Sequence, residues 1–106
     1  MLYRWNGMTC FESLYKRLVN DLNRNGYKIT EVRYKWGIEL TIEGHGEITM
    51  VDLYIRGNNL VTIEVSSISN LNGDFNVDIF DCNCDEKGIE SCLNEIKSSL
   101  NSFIFS

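Results

Sequence analysis

The sequence predicts an α+β fold, a four-stranded antiparallel meander with an N-terminal and a C-terminal helix packed on one face (α-β-β-β-β-α). Three observations predict it. Apolar residues recur with a helical period near both ends, they alternate with polar residues in between, and short turn segments separate the alternating runs. The chain has 106 residues, of which 43% are hydrophobic. This length and composition are typical of one domain, which we expect to span residues 1–106.

The first helix is predicted to begin at Thr9, because Thr9 and Glu12 have the spacing of a capping box. Asn25 and Gly26 predict its end, since glycine readily takes the left-handed conformation that closes a helix. The apolar stripe between these signals consists of Phe11, Leu14, Tyr15, Leu18, Val19 and Leu22.

The middle of the chain predicts four strands. Alternation is continuous over residues 31–43, which predicts one long strand bent at Gly37. Turns at residues 44–46, 57–59 and 70–73 precede three further strands, and such short turns make consecutive strands antiparallel. The residues predicted to face the helices in those strands are Val51, Leu53 and Ile55, then Val61, Ile63 and Val65, then Phe75, Val77 and Ile79.

The last helix is predicted to begin near Asp85, a residue type favoured at helix N-caps, with Glu86 favourable at the positive end of the helix dipole. Its apolar stripe is formed by Ile89, Cys92, Leu93, Ile96, Leu100, Phe103 and Ile104.

Charge is distributed unevenly along the chain. The formal net charge is −5, from 10 basic and 15 acidic residues, a balance that argues against direct nucleic-acid binding. Seven of the bases fall within residues 1–36, whereas twelve of the acids fall within residues 37–106. The acids are densest between Asp74 and Glu95. This stretch predicts either a solvated surface or a face that docks on a basic partner.

The sheet face away from the helices is predicted to be polar, with Tyr54 and Phe80 as an aromatic centre among charged residues. Aromatic centres with polar rims are typical of protein interfaces. Partner binding is therefore predicted on this face and on the acidic stretch. The residues predicted to bind the partner are Asp52, Tyr54, Glu64, Asp74, Asp78, Phe80, Asp81, Asp85, Glu86 and Glu90.

The four cysteines are predicted to be reduced thiols. The first residues show no basic region followed by an apolar run, so we expect no secretion signal and a cytoplasmic protein. A zinc module remains an alternative, in which Cys82, Cys84 and Cys92 join Cys10 or His45, although the spacing fits no standard zinc knuckle. No run of about 18 uncharged apolar residues occurs, so we expect no contact with a membrane.

Signals for catalysis or a cofactor are weak. Asp81, Asn83 and Asp85 have the spacing that opens a calcium loop, but the turn glycine and the closing glutamate are absent. His45 is the only histidine, and the sequence places no nucleophile beside it. We therefore predict no enzymatic activity and no cofactor.

These observations favour a small acidic, non-enzymatic protein-binding module. The predicted role is inhibition of a basic protein that binds or cleaves nucleic acid. Phage anti-defence inhibitors and toxin-immunity proteins have this physical profile. The likeness is an analogy of size and charge and not a resemblance in sequence. The alternatives are a homodimeric chaperone-like or structural module and the cysteine-based zinc module. The sequence does not decide whether a small-molecule cleft lies between the sheet and the helices.

Overall fold

A computed structural model of the protein describes residues 5–44, 47–57, 59–68, 75–84 and 88–104. Its described elements are α1 (Trp5–Arg24), β1 (Lys28–Tyr34), β2 (Gly37–Gly44), β3 (Glu47–Ile55), β4 (Leu60–Ile68), β5 (Phe75–Asn83) and α2 (Gly88–Ile104). The strands form one sheet in the order β1-β2-β3-β4-β5, and every neighbouring pair is antiparallel. The α+β class and the antiparallel sheet are confirmed, whereas the predicted number of four strands is wrong.

The extra strand comes from the segment predicted as one long strand over residues 31–43. This segment is a hairpin in which Tyr34 pairs with Gly37 around a turn at Lys35 and Trp36. The amide of Ile55 donates to the Trp36 carbonyl at 2.8 Å and joins this turn to β3. A two-residue turn preserves the alternation of apolar and polar residues along the sequence but exchanges the face on which the apolar residues lie. The uninterrupted alternation of apolar and polar residues therefore gave no indication of the turn.

Helix α1 begins four residues before Thr9, so the predicted capping box is wrong and both of its residues lie inside the helix. Glu12 instead approaches Arg33 of β1 at 3.6 Å. The predicted end is confirmed. Gly26 has a φ of 84°, and the amide of Tyr27 donates to the Leu22 carbonyl at 3.2 Å, which is the bond pattern of a Schellman cap.

Both helices cover the same face of the sheet. From α1, the Tyr15 hydroxyl donates to Glu31 of β1 at 2.5 Å. From α2, the Ser99 hydroxyl donates to Asp78 of β5. The core lies between this face and the helices. It includes Phe11, Leu14 and Leu18 of α1, Ile38, Leu40, Ile42, Val51, Leu53, Val61, Ile63 and Val65 of the sheet, and Cys92, Leu93, Ile96 and Leu100 of α2.

Strand β5 has the opposite phase to the one predicted. Phe75, Val77 and Ile79 point away from the helices, and Phe75 and Ile79 are 63% and 60% exposed. Cys82 is fully buried and bonded to Cys92 of α2. Because side chains alternate along a strand, a Cys82 that faces α2 turns the odd-numbered apolar residues of β5 to the other face.

The cysteines form two disulfides, so the predicted reduced thiols are wrong. Cys10 of α1 is bonded to Cys84, which follows β5, and Cys82 is bonded to Cys92. The Cα–Cα distances of 6.3 and 5.8 Å lie in the usual range for disulfides. With all four sulfurs paired, the chain has no thiolate to offer to a zinc ion while the bridges are intact.

Candidate functional site

The face of the sheet that α1 and α2 leave uncovered, here called the helix-free face, carries the exposed apolar side chains. Among the residues that the structure describes, six large apolar side chains are exposed, and the strand register places all six on this face. Exposed apolar patches on soluble domains commonly mark interaction sites. The six are Val32, Tyr34, Ile48, Phe75, Val77 and Ile79.

Three carboxylates cross the middle of the helix-free face in a line. Glu39 of β2 stands opposite Asp52 of β3, and Asp52 stands opposite Glu64 of β4; we call these three residues the acid row. Val32 of β1 continues the row at one end, and Ile79 of β5 continues it at the other. Like charges directly opposite one another destabilise a sheet, so this arrangement has an energetic cost to the fold.

Asp52 is the buried centre of the acid row. Only 6% of its surface is exposed, and its Oδ1 atom has no hydrogen-bond partner within the described protein. Burial, a hydrogen bond with Glu39 and the charges of Glu39 and Glu64 raise the pKa of Asp52 from 3.8 to about 7. Both charged groups that shift this pKa are acids. The fold therefore disfavours ionisation of Asp52, and no basic group among those that shift this pKa stabilises its charged form.

An aromatic stack borders the acid row on the side of the β1–β2 turn. The ring centroid of Trp36 lies 4.7 Å from that of Tyr34 and 4.5 Å from that of Tyr54. Tyr54 is two residues from Asp52 on β3 and shares its face. Burial first, and then the negative charge of Asp52, raises the pKa of the Tyr54 hydroxyl. The stack thus places an aromatic surface beside the carboxylates.

Arg56, which follows β3, is held by other groups on the helix-free face. Its Nε donates to the Thr62 hydroxyl at 3.1 Å, and that hydroxyl donates to Asp81 at 2.6 Å. Its guanidinium carbon lies 5.7 Å from the centroid of the Tyr54 ring. Arg56 therefore contacts Tyr54 and Thr62, and the Thr62 hydroxyl links it to Asp81.

The structure places some of the predicted binding residues together and separates others. Asp52, Tyr54 and Glu64 lie on the helix-free face, as their alternation along the strands predicts. Asp81 also lies there, but only because β5 has the opposite phase to the one predicted. Their role in binding a partner stays a prediction. Asp74, Asp85 and Glu86 lie outside the described residues.

Asp78 and Phe80 lie on the opposite face, so their predicted placement on the open face is wrong. Phe80 packs against the core, and Asp78 accepts a hydrogen bond from Ser99. The reversed phase of β5 causes this difference. Both residues line a shallow cleft of about 440 Å³ between β5 and α2, together with Glu95, Ser98 and Ser99.

The acids of the stretch from Asp74 to Glu95 do not form one described surface. Asp81 lies on the helix-free face, whereas Asp78 faces α2. Glu90 at the start of α2 forms an exposed ion pair with Arg17 of α1, a base from the front of the chain. The acids that the structure brings side by side are instead those of the acid row, which come from three strands.

Of the acid row and its two ends, the predicted binding residues lacked Glu39, Val32 and Ile79. The alternation does place Glu39 on the open face, but only the strand register aligns it with Asp52 and Glu64. Recognition of the turn at Lys35 and Trp36 would have supplied that register. For Ile79 the signal lies in Cys82, whose bond to α2 fixes the phase of β5.

Within the described ranges, no three His, Cys, Asp or Glu side chains are grouped so that they could hold a metal ion. Likewise, none of the helices described is both long and apolar enough to cross a membrane. Comparison with protein-family models, curated proteins and solved structures finds no match to this chain.

Proposed function

We propose that this chain is a non-enzymatic protein-binding module that uses its helix-free face to bind a partner with a basic surface. One observation carries this proposal: the exposed large apolar side chains of the described residues all lie on the face that holds the acid row. Apolar side chains supply binding free energy when a partner covers them, and carboxylates select a partner of opposite charge.

The aromatic stack supports an interface over a merely solvated surface. Aromatic residues are enriched in the energetic centres of interfaces, and Tyr34 and Tyr54 are held in place by Trp36 between them. Ordered side chains lose little further conformational entropy on binding. The buried Asp52 oxygen adds a group that a partner can satisfy.

For the class of partner, we propose a protein that binds or cleaves nucleic acid. Such proteins attract phosphates with lysine and arginine side chains, and a line of carboxylates offers them a similar set of negative charges. A chain with this face would inhibit its partner by occupying the surface that the nucleic acid requires.

The two disulfides bear on where the protein works. Disulfides persist in oxidising compartments and are rare in cytosolic proteins, so the bridges oppose the cytoplasmic location expected from the sequence. We propose an oxidising environment instead. Thiol labelling of protein unfolded directly from its native source tests this, and four reactive thiols per chain would restore the cytoplasmic proposal.

The binding proposal is tested by affinity capture from the native source with a variant of the helix-free face. Val32→Thr with Ile79→Thr removes apolar surface from both ends of the acid row while keeping β-branched side chains. The matched control is Asn20→Ser with Asn94→Ser, two exposed positions on the helices. We expect the wild type and the control to retain the partner and the face variant to lose it. Equal retention by all three would refute the proposal.

Salt dependence tests the electrostatic part separately. Salt screens exposed charges over about 8 Å at physiological ionic strength. The affinity of the captured complex should therefore fall as sodium chloride is added, and the fall should be smaller for Glu64→Gln. An affinity independent of salt would remove the acid row from the binding mechanism.

A homodimer is the second candidate, favoured by the exposed edge strand β5. Phe75, Val77 and Ile79 are exposed along a nine-residue strand that, among the strands described, pairs with β4 alone. Unpaired sheet edges readily pair with another strand. Light scattering over a range of protein concentrations decides the matter, because a concentration-independent monomer excludes this candidate.

A further inference from the structure

We propose that the acid row is a subsite for one arginine side chain of the partner. The inference rests on the proposed function and identifies the chemistry of its central contact. It concerns Glu39, Asp52 and Glu64, with Val32 and Ile79 at the two ends of the row.

The spacing of the row suits a planar guanidinium. Opposite residues on neighbouring antiparallel strands have their Cβ atoms about 5 Å apart, so the three carboxylates span about 10 Å. A guanidinium has five N–H donors around its edge and can bridge two carboxylates at once, whereas a lysine ammonium is a compact point charge. Its weakly hydrated faces also tolerate one apolar neighbour, which is Val32 beside Glu39 or Ile79 beside Glu64.

The buried oxygen of Asp52 points to a missing donor. Oδ1 is without a hydrogen-bond partner within the described protein, although the residue is more than nine-tenths buried. A buried carboxylate oxygen without a partner is costly, so a donor placed there recovers free energy. The guanidinium supplies both the donor and the compensating charge.

The groups that surround Asp52 determine how readily the row holds a proton. These are Glu39 on β2, Glu64 on β4 and Tyr54 on β3 itself, with Arg56 beyond Tyr54. Burial first, and then Glu39 and Glu64, raises the pKa of Asp52 to about 7, so the row binds a proton more readily than a solvated aspartate does. When a guanidinium enters, its positive charge favours the fully ionised row, and the proton leaves to solvent.

The test is a carbonyl-carbon NMR titration of the whole chain with ethylguanidinium chloride, and with sodium chloride and ethylammonium chloride at matched ionic strength. We expect saturable shifts of the Glu39, Asp52 and Glu64 carboxyl signals with ethylguanidinium only. The midpoint of the Asp52 titration should fall by about 1–3 pH units at saturation. Asp52→Asn should abolish the saturable response, whereas the matched control Glu90→Gln on α2 should retain it.

Other outcomes overturn the inference. Equal shifts with ethylammonium refute selectivity for arginine, and shifts that follow ionic strength alone refute the subsite. A retained response in Asp52→Asn places any guanidinium site elsewhere. If the guanidinium response is absent while the partner is still captured, the subsite is wrong and the binding module stands. If the response is present while capture fails, the proposed function alone is wrong.

Discussion

A β-carbon on Gly37 would overlap the backbone carbonyl oxygen of Leu53. The same atom would lie 3.3 Å from the Cα of Tyr54, and the φ of Gly37 is 152°, a conformation that L residues with side chains rarely adopt. Gly37 begins β2 directly after the turn at Lys35 and Trp36. The close approach of β2 to β3 at this point therefore depends on the missing side chain.

Gly37→Ala should destabilise the fold by about 2–4 kcal/mol, because it combines a steric clash with an unfavourable backbone conformation. Urea unfolding followed by circular dichroism measures the change. Gly57→Ala is the matched control, since a β-carbon there meets no atom within 4 Å. The control should stay within about 0.5 kcal/mol of the wild type. Equal stabilities of the two variants would contradict the close approach of β2 and β3.

Asp52→Asn should stabilise the protein at neutral and alkaline pH. The raised pKa of Asp52 means that the folded state holds a proton that the unfolded state has released. This contribution to wild-type stability is present at low pH and is lost as the pH rises from about 4 to about 7. An amide stays neutral, so the variant should gain on the order of 2–4 kcal/mol over the wild type at about pH 8 and little at about pH 4.

Urea unfolding of both proteins across that pH range provides the measurement. Glu90→Gln serves as the control, because an exposed ion pair contributes at most about 1 kcal/mol. A variant less stable than the wild type at alkaline pH would show that Asp52 is satisfied in the fold and would weaken its assignment to a binding site.

Loss of either disulfide should lower the free energy of unfolding. The loss should be larger for the disulfide that closes the longer loop. Cys10 and Cys84 are 74 residues apart, whereas Cys82 and Cys92 are 10 apart. From the entropy of the closed loops alone, we expect losses of about 4 kcal/mol for Cys10→Ala with Cys84→Ala and about 3 kcal/mol for Cys82→Ala with Cys92→Ala. Thermal unfolding with and without reductant, beside peptide mapping of the bridges, checks both values. An unchanged Tm in reductant would contradict the prediction.

The aromatic stack should show a favourable coupling free energy between Trp36 and Tyr54. Stacked aromatic pairs contribute about 0.5–1.5 kcal/mol beyond the area that they bury. A double-mutant cycle with Trp36→Leu and Tyr54→Leu should return a coupling in that range. A cycle of Trp36→Leu with Tyr27→Leu is the control, because Tyr27 precedes β1 at the end away from the turn. Additive effects in both cycles would show that the stack contributes nothing.

The helices and the fold class could be predicted because their signals are local. Helical periodicity identifies the buried residues of α1 and α2, and Gly26 marks the end of α1. The start of α1 at Trp5 carries no such local signal. The turn at Lys35 and Trp36 uses residues that are not typical of hairpin turns, so propensity gave no warning of it.

The acid row could not be predicted because it depends on relations between strands. Asp52 and Glu64 share a face by alternation, but their alignment with Glu39 depends on the register of two hairpins. Likewise, nothing local in β5 indicates that Cys82 is the buried residue. That assignment comes from its bond to Cys92, a tertiary contact that outweighs the pattern of the strand.

The two disulfides also determine whether a single proteolytic cut separates the chain into fragments. The bond between Cys10 and Cys84 spans most of the chain, and the bond between Cys82 and Cys92 overlaps its end. A single cut at any peptide bond between Cys10 and Cys92 therefore leaves both pieces in one covalent molecule. Nicked protein would migrate as a single species on a non-reducing gel and separate into fragments only after the sulfurs are reduced.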